Sequence, residues 1–237
     1  MPKQIDGERI LVFYSNTNTH GKHDATGAFI PEARAFCTLH NVPVENQLGV
    51  KCPGISKAVR RRRVLDFISE HGHGVEAIAF FGHGWPKGIQ FGFDRKHIPE
   101  LTNVIRQRCA GELYVSIYAC LAAENDQRDN QRDNIGPATN GGFADLFRDS
   151  LEKNGIKEGW VDAHKTAGHT SWNPYVVRFL IDSSLSIDES GIGGSWLVGP
   201  RSQFWKKWRR SLKATDLRHR FPFMTELEIK TELHLNS

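Results

Sequence analysis

Near-continuous apolar strands that alternate with helical patterns are the feature that most limits how this chain can fold. The apolar runs are residues 9–15, 75–81 and 113–119, with a shorter run at 42–48 and the start of another at 160–163. The helical patterns between and after them cover residues 31–40, 55–71, 97–109 and 143–155. Apolar strands joined by helices are typical of a parallel sheet that is covered on both sides. We therefore predict a three-layer α/β/α fold with a mainly parallel central sheet.

The length of 237 residues suits a single domain. We expect its core at about 9–182 and a C-terminal extension at about 183–237. The extension contains a helical pattern at 202–213 and a period of two at 221–235, which predicts a strand or hairpin. No apolar run approaches the roughly 20 residues of a membrane span. The polar N-terminus lacks a signal-peptide pattern, so a cytoplasmic protein with no membrane partner is expected.

The cysteines and the basic residues exclude some classes of protein. The four cysteines, at 37, 52, 109 and 120, form no CxxC pair. A disulfide scaffold or a cysteine-based zinc site is therefore not predicted. The net charge of +4 comes largely from two basic runs, 60–63 and 206–210. Because both runs lie in helical patterns, we interpret them as solvated helix faces rather than a nucleic-acid interface. The charge also suggests an acidic partner surface.

Two reactive side chains follow neighbouring apolar runs in the sequence. The run that ends at Phe81 leads into His83, between Gly82 and Gly84, and the run that ends at Ala119 leads into Cys120. In an open α/β sheet, ligands bind at the carboxyl ends of the strands. Neighbouring strands lie about 5 Å apart, so the two side chains can meet there. A buried inert cysteine and a structural histidine are the alternative interpretation.

A cysteine and a histidine at this rim predict nucleophilic catalysis without a cofactor. The imidazole of His83 would take the thiol proton of Cys120, and the thiolate would attack a carbonyl carbon. The flanking glycines would leave room for a substrate backbone, and the amides near Gly84 and Cys120 would bind the oxyanion. We expect the substrate groove to be formed by further residues of the same rim, namely Ser15, His20, His23, Asp24, Trp85, His164 and His169. The sequence leaves open whether His164 and His169 line this groove or are structural.

The segments AIAFFGHG and LYVSIYAC together resemble the signature of the caspase-like cysteine peptidases. This broad group contains caspases, metacaspases, gingipains, separase and CHAT domains. The resemblance covers about residues 9–165 and implies a His83–Cys120 dyad that acts on a protein or peptide substrate. By the same resemblance, the polar loop at 124–142 lies where caspases are cleaved into subunits. Self-cleavage there, at Arg128 or Arg132 for example, is therefore a hypothesis.

Two other functions are compatible with these residues. Cys120 is followed by Leu121 and Ala122, whereas the caspase signature has a glycine two residues after the cysteine. This departure favours a non-catalytic binding or regulatory module of the same fold. A metal-dependent hydrolase is the other alternative, because six candidate ligands could converge at the rim. They are His20, His23, Asp24, His83, His164 and His169.

Overall fold

The computed structural model describes six stretches of the chain: residues 5–16, 29–52, 54–124, 142–165, 176–182 and 186–188. The ten strands within these stretches are β1 (Ile10–Ser15), β2 (Gln47–Val50), β3 (Ala77–Phe81), β4 (Gly84–Trp85), β5 (Gly88–Ile89), β6 (Phe93–Asp94), β7 (Glu112–Tyr118), β8 (Glu158–His164), β9 (Val176–Leu180) and β10 (Ser186–Asp188). The four α-helices are α1 (Phe29–His40), α2 (Lys57–His71), α3 (Ile98–Arg108) and α4 (Gly142–Lys153).

Seven of these strands form the central sheet, in the order β10-β9-β8-β7-β3-β1-β2. Five neighbouring strands pair in parallel, which confirms the predicted mainly parallel sheet; they are β8, β7, β3, β1 and β2. The pairs β8–β9 and β9–β10 are antiparallel. The apolar run YVVRFLI at 175–181 predicts a strand, which the structure has as β9, but the sequence indicates neither its direction nor β10, which has only three residues.

The side chains of the strands alternate between two faces, and helices pack on both of them. On one face, Leu11, Phe13 and Phe80 belong to a buried cluster that includes residues of α2, α3 and α4. We call this side the three-helix face. On the other, Val12, Phe81 and Tyr118 pack with residues of α1, and we call this side the α1 face. The chain therefore has an α/β fold with a mixed, mainly parallel sheet.

The helices begin and end close to where the sequence predicted them. The Ser56 side chain caps α2 by accepting a hydrogen bond from the Val59 amide at 3.3 Å. Pro99 lies in the first turn of α3, where the missing amide hydrogen costs little. None of the helices in the described stretches is long and apolar enough to cross a membrane. The predicted C-terminal helix and hairpin, at 202–213 and 221–235, lie outside the described residues.

A three-stranded antiparallel sheet of β4, β5 and β6 directly follows β3, and we call it the meander. It packs on the first turn of α2: a Cβ added to Gly92 would lie 2.2 Å from the Lys57 carbonyl oxygen. Arg60 and Arg61 of α2 donate hydrogen bonds to the Gln90 and Gly92 carbonyls, at 2.7 and 3.1 Å. The interpretation of the first basic run as a solvated face was therefore wrong for these two arginines. They are half-buried because the meander offers carbonyl acceptors, whereas Arg62 and Arg63 are exposed.

The second basic run lies in another part of the chain. Residues 206–210 lie outside the described stretches, so the solvated-face interpretation of that run stays a prediction. Within α2, the exposed Arg62 pairs with Asp66 one turn later at 2.8 Å, as expected for a solvated helix surface. The half-buried Arg61 instead reaches Glu100 of α3, also at 2.8 Å. The basic run thus divides between surface contacts and contacts that hold the meander.

Candidate functional site

The segments that carry His83 and Cys120 follow two strands that are hydrogen-bonded neighbours in the middle of the central sheet. Phe81 of β3 is paired with Tyr118 of β7, and the Gly82 amide donates a hydrogen bond to the Tyr118 carbonyl at 3.3 Å. His83 and Cys120 each lie two residues beyond this pair. The parallel register therefore brings both residues to the same rim of the sheet.

Gly84 is the position at which the two segments touch. A Cβ added to Gly84 would lie 2.7 Å from the Ala119 Cβ and 2.8 Å from the Cys120 carbonyl oxygen. Neither distance is tolerable for a real side chain, so glycine is required for this packing. The expectation that this glycine leaves room for a substrate backbone was wrong on that side, because Ala119 and Cys120 already occupy the space.

The surroundings of His83 come from α1 and from the meander. The Phe29 ring of α1 meets the His83 ring edge to face, with ring centroids 5.1 Å apart and planes at 88°. The Gln90 side chain accepts a hydrogen bond from the His83 amide at 3.0 Å. His83 itself is half-buried, which leaves part of the residue accessible from solvent. Its backbone is therefore held by the meander, while α1 contacts its ring.

The four cysteines lie in different parts of the fold. Burial raises the pKa of the Cys37 and Cys109 thiols to about 12, and it also raises the pKa of Cys52. These three thiols are protonated at neutral pH and are poor nucleophiles. Cys120, which is half-buried as Cys109 is, lies at the turn where β7 ends. The residue after it, Leu121, has a φ of +60°, a left-handed conformation that is uncommon for a branched side chain.

The turn after Cys120 is fastened to two other elements. The Ala123 amide donates to the His164 carbonyl at the end of β8, at 3.0 Å. The Ala144 amide in the first turn of α4 donates to the Ala122 carbonyl at 2.9 Å. Ala122 and Ala123 of this turn are almost completely buried. Cys120 therefore belongs to a turn whose C-terminal part is hydrogen-bonded to β8 and to α4.

His164 is brought to the same rim, on the α1 face of the sheet. Its neighbour Ala163 belongs to the three-helix face, so the His164 side chain points to the opposite side. The ring lies 6.0 Å from the Tyr118 ring, centroid to centroid, and the residue is 2% exposed. Such burial shows that His164 packs inside the protein rather than on an open surface.

Ser15 and Trp85 are placed differently from Cys120 and His83. Ser15 ends β1 with its side chain on the three-helix face, completely buried. There the Ser15 and Arg60 side chains lie against the Cys52 thiol and oppose the rise in its pKa that burial causes. Trp85 belongs to the meander, and the Lys57 ammonium lies 5.4 Å from its ring centroid. Ser15 therefore faces away from the side of the sheet on which His164 lies.

The remaining predicted site residues are His20, His23, Asp24 and His169, and all of them lie outside the described residues. So do residues 125–141, which contain both proposed self-cleavage positions. Among the residues that the structure describes, no three histidine, cysteine or carboxylate side chains are grouped so that they could hold a metal ion. The metal-dependent alternative thus depends on residues beyond the described stretches.

Gln90 is a residue near the site that the sequence did not single out. It lies in the glycine-rich segment GIQFGF at residues 88–93. A polar residue between Ile89 and Phe91, both buried, is the one signal that could have drawn attention to it.

Comparisons of the chain with protein-family models, with curated proteins and with solved structures found no match.

Proposed function

We propose that this chain is a caspase-like cysteine endopeptidase in which Cys120 is the nucleophile and His83 is the general base and acid. The observation that carries the proposal is the packing of Gly84 against Ala119 and Cys120, which joins the histidine and cysteine segments at one rim. The half-buried state of both residues supports the proposal too, since a substrate must reach them. The three-layer caspase-like architecture is part of the same proposal, supported by the strand order and by helices on both faces.

The proposed reaction is acyl transfer in two steps. His83 takes the proton of the Cys120 thiol, and the sulfur attacks the carbonyl carbon of the scissile peptide bond. The C–N bond then breaks, the amine leaves with the proton from His83, and a thioester remains on Cys120. Water attacks the thioester, gives a proton to His83, and releases the acid as the thiol re-forms. The amides near Gly84 and Cys120 are the proposed oxyanion donors.

A non-catalytic module of the same fold is the second candidate, and one observation favours it. Ala122 stands where the caspase signature has its glycine, and Leu121 before it has a positive φ. The turn after Cys120 therefore lacks the glycine of that signature. A protein of this kind would keep the sheet and its rim for binding, without acyl transfer.

The test compares labelling of Cys120 with peptide cleavage in four variants. We expect iodoacetamide to label Cys120 of the full-length protein well below about pH 8, and His83→Ala to abolish this labelling. Cys120→Ala should abolish cleavage of a complex peptide mixture, followed by mass spectrometry. The matched controls are Cys109→Ala and His71→Ala. The Cys109 thiol has a pKa of about 12, and the His71 ring stacks on Phe67 in α2. Neither control should change labelling or cleavage.

Two results would count against the peptidase. Full cleavage by Cys120→Ala would exclude Cys120 as the nucleophile. Slow labelling of Cys120 that does not depend on His83, together with no cleavage of any peptide, would favour the non-catalytic module.

A further inference from the structure

His83 and Gln90 face each other across the first hairpin of the meander, but they do not pair as two strand residues usually do. The regular pairs are Gly84 with Ile89 and Trp85 with Gly88. Next to them, the Gln90 amide donates to the His83 carbonyl at 2.9 Å. In a hydrogen-bonded antiparallel pair, the reverse bond would run from the His83 amide to the Gln90 carbonyl. Here the His83 amide donates to the Gln90 side-chain oxygen instead, at 3.0 Å.

The carbonyl that would normally receive this bond is occupied by α2. Arg60 donates to the Gln90 carbonyl oxygen at 2.7 Å, a hydrogen bond strengthened by the charge of the guanidinium. The side chain of Gln90 thus replaces its own carbonyl as the partner of His83. Only a side chain with an acceptor at this length can do so, and Gln90 is 9% exposed, so water does not readily substitute for it.

The glycines on both sides of His83 allow this arrangement. A Cβ on Gly82 would lie 3.3 Å from the Gln90 side-chain oxygen and 3.0 Å from the Phe91 ring. On the other side, Gly84 packs against Ala119 and the Cys120 carbonyl. The backbone of His83 is therefore fixed between the Gln90 side chain and the turn that carries Cys120. This explains why a histidine at the end of a buried strand is flanked by two glycines.

We propose that Gln90 is a positioning residue for His83, and that Arg60 supports it by occupying the Gln90 carbonyl. The inference rests on the proposed function, in which His83 exchanges a proton with Cys120. Proton transfer requires heavy atoms within hydrogen-bond reach, and displacements of about 1 Å cost much of the rate. Loss of the Gln90 oxygen leaves the His83 amide without this partner and lets the histidine backbone move away from the turn.

The experiment measures the rate of iodoacetamide labelling at Cys120 against pH, in full-length protein, with mass-spectrometric readout of the Cys120 peptide. Gln90→Met keeps the length of the side chain but removes the acceptor, whereas Gln90→Glu keeps an acceptor oxygen. We expect Gln90→Met to slow labelling near neutral pH on the order of tenfold and to move the pH profile toward that of His83→Ala. Gln90→Glu should retain the fast labelling.

The matched control is Gln47→Met, at the start of β2. Its side-chain amide donates to the Val42 and Pro43 carbonyls at 2.9 and 3.3 Å, away from the rim. This variant should lose stability without a change in the labelling profile. Arg60→Met tests the same contact from the other side, because it releases the Gln90 carbonyl. It should slow labelling less than Gln90→Met does, and it carries the test if Gln90→Met does not fold.

The outcomes separate this inference from the proposed function. If His83→Ala slows labelling but Gln90→Met and Arg60→Met do not, the positioning role alone is overturned. Equal slowing in Gln90→Met and Gln47→Met would likewise overturn it, since a general loss of stability would explain both. If His83→Ala has no effect, the dyad fails and the positioning role fails with it. In the double variant with His83→Ala, Gln90→Met should have no additional effect.

Discussion

The two faces of the central sheet bury different kinds of side chain near the rim. The strand residues on the three-helix face are apolar, for example Phe13, Phe80 and Ile117, with the exception of Ser15 at the end of β1. On the α1 face, β7 and β8 bury Ser116, Asp162 and His164 among the aromatic rings. Buried polar groups cost free energy unless they are hydrogen-bonded, and Asp162 meets this condition through its pair with Arg178. The comparison favours the three-helix face as the main source of stability and the α1 face as the side that carries chemistry.

One ion pair on each side provides the prediction with the largest effect. In α4, Arg148 pairs with Asp145 at 2.6 Å, and both side chains are 1% exposed. On the α1 face, Arg178 pairs with Asp162 at 3.0 Å, and its side chain is 15% exposed. Arg148→Met should lower the free energy of unfolding by about 3–5 kcal/mol, because the buried Asp145 carboxylate would lose its guanidinium partner. Arg178→Met should cost less, about 1–3 kcal/mol, because water reaches that pair more easily.

Urea unfolding of both variants measures this difference. The control is Arg62→Met, whose exposed pair with Asp66 should contribute less than about 1 kcal/mol. An equal loss of stability in Arg148→Met and Arg178→Met would contradict the difference between the two faces.

Two thiols with a raised pKa predict how stability depends on alkaline pH. Burial raises the pKa of Cys37, on α1, and of Cys109, after α3, from 9.0 to about 12. Each thiol therefore ionises first in the unfolded chain, and its contribution to stability is present below pH 9 and is lost as the pH rises toward 12. Between about pH 8 and 10, Cys37→Ala should reduce the loss of stability by about 1 kcal/mol.

Urea unfolding at several pH values provides the measurement, with Cys109→Ala as the matched variant on the other side of the sheet. Similar reductions in the two variants would show that the faces exclude water equally well near these thiols. If the pH dependence of stability is unchanged in both variants, the pKa of neither thiol is raised by folding.

The smallest expected effect separates packing from chemistry. Phe13 stacks on Phe80 with ring centroids 5.0 Å apart, whereas Phe29 contacts the His83 ring. Phe13→Leu and Phe29→Leu should each lower the free energy of unfolding by about 1 kcal/mol. Only Phe29→Leu should also slow the labelling of Cys120, by an amount equivalent to about 0.5–1 kcal/mol of aromatic contact. Slower labelling in Phe13→Leu as well would mean that the faces are not functionally distinct.

The sequence predicted the parallel part of the sheet because strands buried on both faces leave an apolar pattern. It also placed His83 and Cys120 at a common rim, since both follow such strands directly. By contrast, no local pattern distinguishes the antiparallel direction of β9, which depends on its pairing with β8. Strand β10 has only three residues, which is too few to show a periodic pattern in the sequence.

The contacts around His83 could not be predicted from the sequence for a different reason. The Gln90 side chain contacts the His83 amide while the Gln90 carbonyl accepts from Arg60, which is thirty residues away from Gln90 in the chain. The role of Gly84 also depends on a distant segment, because its lack of a side chain matters only where Ala119 packs against it. Propensity and periodicity describe single segments, whereas these contacts arise from three segments that meet. Ser15 was misleading in a similar way, because the end of a strand does not reveal which face its side chain joins.

The central position of β3 and β7 has a consequence for how the rim would respond to heat or denaturant. Edge strands such as β2 and β10 can separate from the sheet in local opening, while interior strands exchange their amide hydrogens mainly through global unfolding. Because β3 and β7 each have a strand on both sides, the rim between them should survive any fraying of the edges. Protection of these strands from hydrogen exchange and the His83-dependent reactivity of Cys120 should therefore be lost together, in one cooperative transition.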